Sequence, residues 1–204
     1  MHPNPIYRTA EDTQNLAFAR DRGFGMLAVS DPDGGVPLLS HVPFCVSEDG
    51  TALELHLVRS NPIARRVTAS QPARIAVQGP EAYISPDWYG MEDQVPTWNY
   101  VAVHVDGVLE RMPDDSLRGV LDRLSAEFEN RLAPKTPWTL AKTDPEATAK
   151  LMRMIVPYRL TVTAIDGTWK LTQNKPDAAR LGAADGVEAN GAAELAVLMR
   201  DLPV

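Results

Sequence analysis

Apolar and polar residues along this chain alternate mostly with a period of two. Leu53, Leu55 and Leu57 alternate with Glu54 and His56, Asn99, Val101, Val103 and Val105 with Tyr100, Ala102 and His104, and Tyr158, Leu160, Val162 and Ala164 with Arg159, Thr161 and Thr163. That spacing puts one side of an extended strand in a core and the other toward water. Met26 to Ser30 and Val36 to Val46 flank the dense turn signal Asp31-Pro32-Asp33-Gly34-Gly35 and read as a hairpin, and Glu48-Asp49-Gly50 joins them to the Leu53 strand as a meander. Ala73 to Gln78 reads as a further strand ended by Gly79-Pro80, and Gly79 to Thr97, with three prolines, as a long loop broken by an extended stretch around Tyr83. Loops of that length are usually functional. Asp106-Gly107 and Asp166-Gly167 read as turns, the second leading into a strand from Thr168 to Gln173.

A period near 3.6 appears between these strands. Thr9 and Asp12 open a helix through Leu16, Phe18 and Ala19 that Gly23 closes. Ser60 or Asn61 caps a short helix with Pro62 in its first turn. Leu117, Val120, Leu121, Leu124, Phe128 and Leu132 mark the strongest amphipathic helix, Asp144-Pro145-Glu146 begins another that ends near Ile155, and Glu194 to Leu202 is a last helical stretch. Six or seven strands with peripheral helices, in this order, predict a mainly β fold: an antiparallel barrel, not a parallel doubly wound sheet. The expected division is a β domain over 1–181 and a tail over 182–204, in which Gly182, Gly186 and Gly191 sit among alanines and acids.

Composition narrows the function. A length of 204 residues suits one domain with its own core. The single cysteine, Cys45, excludes an internal disulfide and a thiolate metal cage and suits a reducing cytoplasm. A net charge of −7 opposes a phosphate backbone, and Arg59, Arg65, Arg66 and Arg74 are too few for a nucleic-acid surface, so direct DNA binding is not expected. Neither a secretory leader nor a membrane span is expected, since no apolar run is long enough. His2, His41, His56 and His104 lack metal-ligand spacing, and no Walker loop, dinucleotide fingerprint or nucleophile elbow appears, so no catalytic residue is assigned.

Several clusters have the chemistry of a small-ligand site. Arg59-Ser60-Asn61-Pro62 sets a guanidinium and a hydroxyl at a helix entrance, which suits an anion or a plain cap. Ser40-His41-Val42-Pro43-Phe44 breaks a strand with proline, as at an edge or bulge beside a site. Gln78-Gly79-Pro80 allows close backbone approach or a simple turn. Tyr83, Trp88, Tyr89, Trp98 and Tyr100 could form a stacking surface, an interface or ordinary core. Lys170 to Lys175 offers alternating polar side chains that suit a ligand rim or an exposed edge.

Gln78-Gly79-Pro80-Glu81-Ala82-Tyr83-Ile84-Ser85-Pro86-Asp87-Trp88-Tyr89, followed by Val95-Pro96-Thr97-Trp98-Asn99-Tyr100, resembles the QGPHAYISPSWY and VPTWNY segments of the PaiB family of FMN-binding negative transcriptional regulators. Ser40 to Phe44 is similar to that family's THLPF strand, Arg59 to Pro62 to its RANP turn, and Lys170 to Asn174 to its KLSQN strand. The resemblance implies an FMN-binding split β-barrel that works as a homodimer. Arg59, Ser60 and Asn61 would lie near the FMN phosphate, Ser40 and His41 beside the flavin, and Gln78 or Gly79 along its polar edge. Trp98 with Lys170, Gln173 and Asn174 would complete the pocket from the partner. An FMN-dependent oxidoreductase or a haem-handling protein is the alternative, since a fold does not fix an activity. Glu81, Asp87 and Ser60 depart from the family's usual histidine, serine and alanine.

Overall fold

The computed structural model describes residues 1–202. Six strands, β1 (Phe24–Val29), β2 (Leu38–Val46), β3 (Ala52–Val58), β4 (Gln71–Ile84), β5 (Thr97–Arg111) and β6 (Ile155–Lys170), close a barrel in the order β1-β2-β3-β6-β5-β4. The pairs β1–β2, β2–β3, β3–β6 and β1–β4 are antiparallel. The expected fold class, mainly β with peripheral helices in an antiparallel barrel, is the observed one. By compactness the chain falls into two units, one of residues 19–76 and 105–164, the other of residues 1–18, 77–104 and 165 onward.

The unit of residues 19–76 and 105–164 holds β1, β2, β3 and parts of the three long strands. Leu55 faces Phe44 on one side and Tyr158 on the other, Leu53 faces Leu160, and Leu57 faces Val156, so the alternation read in the sequence lines a continuous core. Burying one such side chain contributes about 1.5–3 kcal/mol. The helix α3 (Leu117–Asn130) lays Leu117, Val120 and Leu124 against β2 and β3. Glu54, expected on a solvated face, lies beneath it instead, accepting hydrogen bonds from Arg159 Nη2 at 2.7 Å and Arg123 Nε at 2.9 Å. The unit also carries α2 (Pro62–Arg66) and α4 (Pro145–Met152).

The other unit is organised by two C-terminal helices, α5 (Asp177–Ala189) and α6 (Ala193–Arg200). Ala183, Ala184, Val187, Leu195, Ala196 and Met199 pack with Ile84, Tyr89, Val101, Trp169 and Leu171 in one apolar cluster. The glycines without a recognised pattern find their reason here. A Cβ on Gly182 would lie 2.5 Å from the Trp88 carbonyl, and one on Gly186 would enter the Trp88 indole, so the pair one turn apart makes the seat for Trp88. Residues 181 and 182 lie within α5. The helix α1 (Asp12–Arg22), opened by Asp12 and closed by Gly23 at φ +58°, has the expected position.

Three expected turns are not turns. β4 runs through Gln78-Gly79-Pro80 to Ile84, β5 through Asp106-Gly107, and β6 through Asp166-Gly167. Gly107 is required by close approach, since a Cβ there would strike the Thr161 carbonyl, and Gly167 makes room for the amide of Asn15. That amide accepts the Trp169 indole N–H at 2.8 Å. The strand expected from Thr168 to Gln173 stops at Lys170, and residues 171–175 form a turn.

Candidate functional site

The sequence-derived candidates fall into two sets. Ser40, His41, Arg59, Ser60 and Asn61 belong to the unit of residues 19–76 and 105–164. At the entrance to α2, Asn61 rather than Ser60 is the cap, its Oδ1 accepting from the Ile63 N–H at 2.9 Å. The same amide donates Nδ2 to Ser40 Oγ at 3.0 Å, tying β2 to the turn after β3. Ser60 is exposed and free to offer its hydroxyl. Arg59 is exposed but already engaged: Nε donates to the Arg153 carbonyl at 2.7 Å and Nη2 to Asp114 Oδ2 at 2.9 Å. Asp114, held also by Arg111, has its carboxyl below the usual carboxylate range through those two hydrogen bonds. An anion at Arg59 must therefore compete with Asp114, a partner with no signal in the sequence.

His41 is exposed on the outer face of β2, stacked 6.4 Å from Phe24 at an interplanar angle of 20°. Phe24 is 52% exposed and Leu39 54%, and Met26 and Ala28 lie between them across the β1–β2 register. This leaves an apolar strip of sheet facing water beside Ser40, of the kind that marks an interaction site.

Gln78, Gly79, Trp98, Lys170, Gln173 and Asn174 belong to the other unit. Gly79 is packed inside, where a Cβ would lie 2.6 Å from the Phe18 ring, so it offers only backbone, while Gln78 is exposed. Trp98 is 56% exposed and meets Tyr83 edge to face at 6.3 Å. Lys170 is half-buried, its Nζ bonded to Thr97 Oγ1 and 5.9 Å from the centre of the Tyr7 ring. No carboxylate pairs with it among the described residues, and burial pushes its pKa down. A partly desolvated cation without a counterion is a ready place for an anionic or strongly dipolar ligand.

Lys170 ends β6, and Gln173 and Asn174 follow it in a turn instead of a strand. Thr172 sits at φ +67°, and the Gln173 side chain closes the turn by accepting from the Leu171 N–H at 2.7 Å and donating to the Trp169 carbonyl at 2.5 Å. Gln173 is thereby committed to its own backbone, and Asn174 is exposed. Thr172, Thr97, Tyr7 and Asp114 were not singled out from the sequence. Asn99 and Thr97 stood inside the quoted segment Val95 to Tyr100, whereas Tyr7 and Asp114 are brought in only by the fold.

A closed antiparallel barrel with peripheral helices is the class that the structure defines. Solved structures of this class share the fold. The FAD and heme binding protein from Mycobacterium smegmatis superimposes with a TM-score of 0.59 at 18% identity, covering 91% of this chain and 80% of its own. The flavocytochrome Anf3 from Azotobacter vinelandii gives 0.55 at 11% identity, covering 83% and 72%. The profile of the family FMN_bind_2, "Putative FMN-binding domain", matches residues 1–164, and the chain belongs to that family. "Protease synthase and sporulation protein PAI 2" of Bacillus subtilis is 29% identical over 197 residues, 94% of this chain and 92% of its own length, which places the chain in the PaiB group. FMN is the cofactor that membership assigns. The groups present fit it chemically: Lys170 and Ser60 are available to anionic or carbonyl oxygens, and Trp98 with Tyr83 offers an aromatic wall to a flat ring.

Proposed function

We propose that the chain is a homodimeric FMN-binding regulatory protein of the PaiB type, with its flavin held between two copies. Ser40, His41, Arg59, Ser60 and Asn61 would come from one copy, and Trp98, Lys170, Gln173 and Asn174 from the other. The observation that carries this reading is the half-buried Lys170 without a counterion among the described residues, a cost to the lone chain that a bound flavin offsets. The apolar strip around Phe24 and Leu39 supports a second copy as the cover for the face beside Ser40. When bound, FMN supplies a redox-active ring. The chain's own residues supply position and polarity, and none is assigned a catalytic step.

Transcriptional regulation belongs to the same proposal. With a net charge of −7, the regulatory output runs through the flavin or a protein partner and not through direct DNA contact, most simply in the cytoplasm. Sedimentation equilibrium across protein concentrations, with and without FMN, tests the shared site. FMN at about a hundred times its dissociation constant adds about 2.7 kcal/mol per site to the dimer that binds it, so self-association tightens. A monomer that binds FMN as tightly as any dimer would remove the shared site. The absorbance spectrum of protein purified without added cofactor separates flavin from haem.

A further inference from the structure

Two departures from ordinary packing meet at one point. Thr172 is 3% exposed and holds φ +67°, a region that a β-branched side chain rarely enters. Beside it Asn99, 1% exposed, donates Nδ2 to Thr172 Oγ1 at 2.7 Å and to Met199 Sδ at 3.4 Å. Its Oδ1 has no hydrogen-bond partner among the described residues. Both features oppose folding, the first through backbone strain and the second through a desolvated, unsatisfied oxygen.

A turn that needs positive φ is made most cheaply with glycine, and next with asparagine. Threonine adds the hydroxyl, and here the hydroxyl accepts the Asn99 amide N–H. Lys175, at the far end of the turn, lies 4.5 Å over the Tyr89 ring. Behind Asn99, α6 supplies Met199, and buried Arg180 of α5 donates to the carbonyls of Met199 and Arg200 and so fixes the end of α6. The chain of contacts runs from the C-terminal helices through one amide to the turn that follows Lys170 and carries Asn174. Local costs retained at one point, with the surrounding structure over-determining the geometry, mark a position held for function.

We propose that Asn99 and Thr172, backed by Met199 of α6, are positioning residues that set turn 171–175 and thereby aim Asn174, and Lys170 at the strand end just before it, at the flavin. The C-terminal helix pair is then a determinant of cofactor affinity. This rests on the flavin reading above.

The test titrates FMN against the full chain by flavin fluorescence, alongside thermal melts and hydrogen exchange of the peptide covering 168–176. Thr172→Gly keeps the backbone region accessible and removes the grip. It raises the FMN dissociation constant about tenfold, the cost of ordering a turn no longer preorganised, with the melting temperature close to that of the unaltered chain and faster exchange in 168–176. Thr172→Asn, which tolerates positive φ and restores a side-chain hydrogen bond, recovers most of the affinity. Val120→Ala, in the core of the unit of residues 19–76 and 105–164, lowers the melting temperature and leaves FMN binding at low temperature unchanged. FMN affinity unchanged in Thr172→Gly, or weakened equally in Val120→Ala, overturns the positioning role while the flavin reading stands. No FMN binding by the unaltered chain overturns that reading and this inference with it.

Discussion

Gly186→Ala isolates the seat of Trp88. In an open helix interior the change is favourable by about 1 kcal/mol, because alanine loses less backbone entropy than glycine. Here the added methyl would enter the Trp88 indole, and the ring cannot retreat freely because Gly182, one turn earlier, lies against the Trp88 carbonyl. Overpacking of this sort costs about 1–3 kcal/mol, so the net effect in the unaltered chain lies between neutrality and a loss of about 2 kcal/mol. In a Trp88→Ala background the obstacle is gone, and the same change stabilises by about 1 kcal/mol. The two effects differ by the clash itself, a coupling of about 1–3 kcal/mol in a double-mutant cycle. Urea melts followed by circular dichroism at the helix band give all four stabilities without relying on the tryptophan that one variant removes. An effect of Gly186→Ala that is the same in both backgrounds would refute the seat and leave the glycine pair unexplained.

Three further outcomes follow from individual side chains. Arg59→Ala weakens FMN by about 1.5–3 kcal/mol and riboflavin much less if the guanidinium reaches the phosphate; its ion pair with Asp114 is exposed, so thermal melts move little, and equal loss for both flavins assigns Arg59 to the fold. Glu54→Gln costs about 1–3 kcal/mol near neutral pH. Burial raises the Glu54 pKa, but hydrogen bonds from Arg159 and Arg123 outweigh it and hold the carboxyl below its ordinary value. Its stabilisation is therefore complete above the unfolded pKa and fades as pH falls through the lower folded one, so pH-dependent melts of the variant should converge on those of the unaltered chain in acid. Tyr158→Phe removes a hydroxyl that is fully buried without a hydrogen-bond partner among the described residues and should be neutral or stabilising by about 1 kcal/mol in urea melts, whereas a loss above that would reveal an unrecognised partner.

The barrel was legible because its strands obey period two wherever one face meets the core, as Leu53, Leu55 and Leu57 do. The misread points were glycines. Asp106-Gly107 and Asp166-Gly167 have the composition of turns, yet each glycine serves a neighbour from another part of the chain, the Thr161 carbonyl in one case and Asn15 in the other. A local signal cannot separate a glycine that bends its own backbone from one that admits a distant atom. The same ambiguity hid α5, whose Gly182 and Gly186 lower helix propensity for the sake of Trp88.

The site was legible as a set of segments and not as a set of contacts. Motif resemblance named Lys170, and the structure adds why it matters: it is half-buried with no carboxylate paired to it among the described residues, between Thr97 and Tyr7. Motif resemblance also named Arg59, and there the structure supplies a competitor in Asp114. These two cations therefore differ in what a flavin must do to use them. Binding at Lys170 replaces nothing of opposite charge, whereas binding at Arg59 requires the phosphate to displace or share a carboxylate already paired with two arginines. Removing that carboxylate by Asp114→Asn should then strengthen FMN and leave riboflavin unchanged, the reverse of Arg59→Ala. If both flavins respond alike, Arg59 does not meet the phosphate, and Lys170 becomes the principal cation for the ligand.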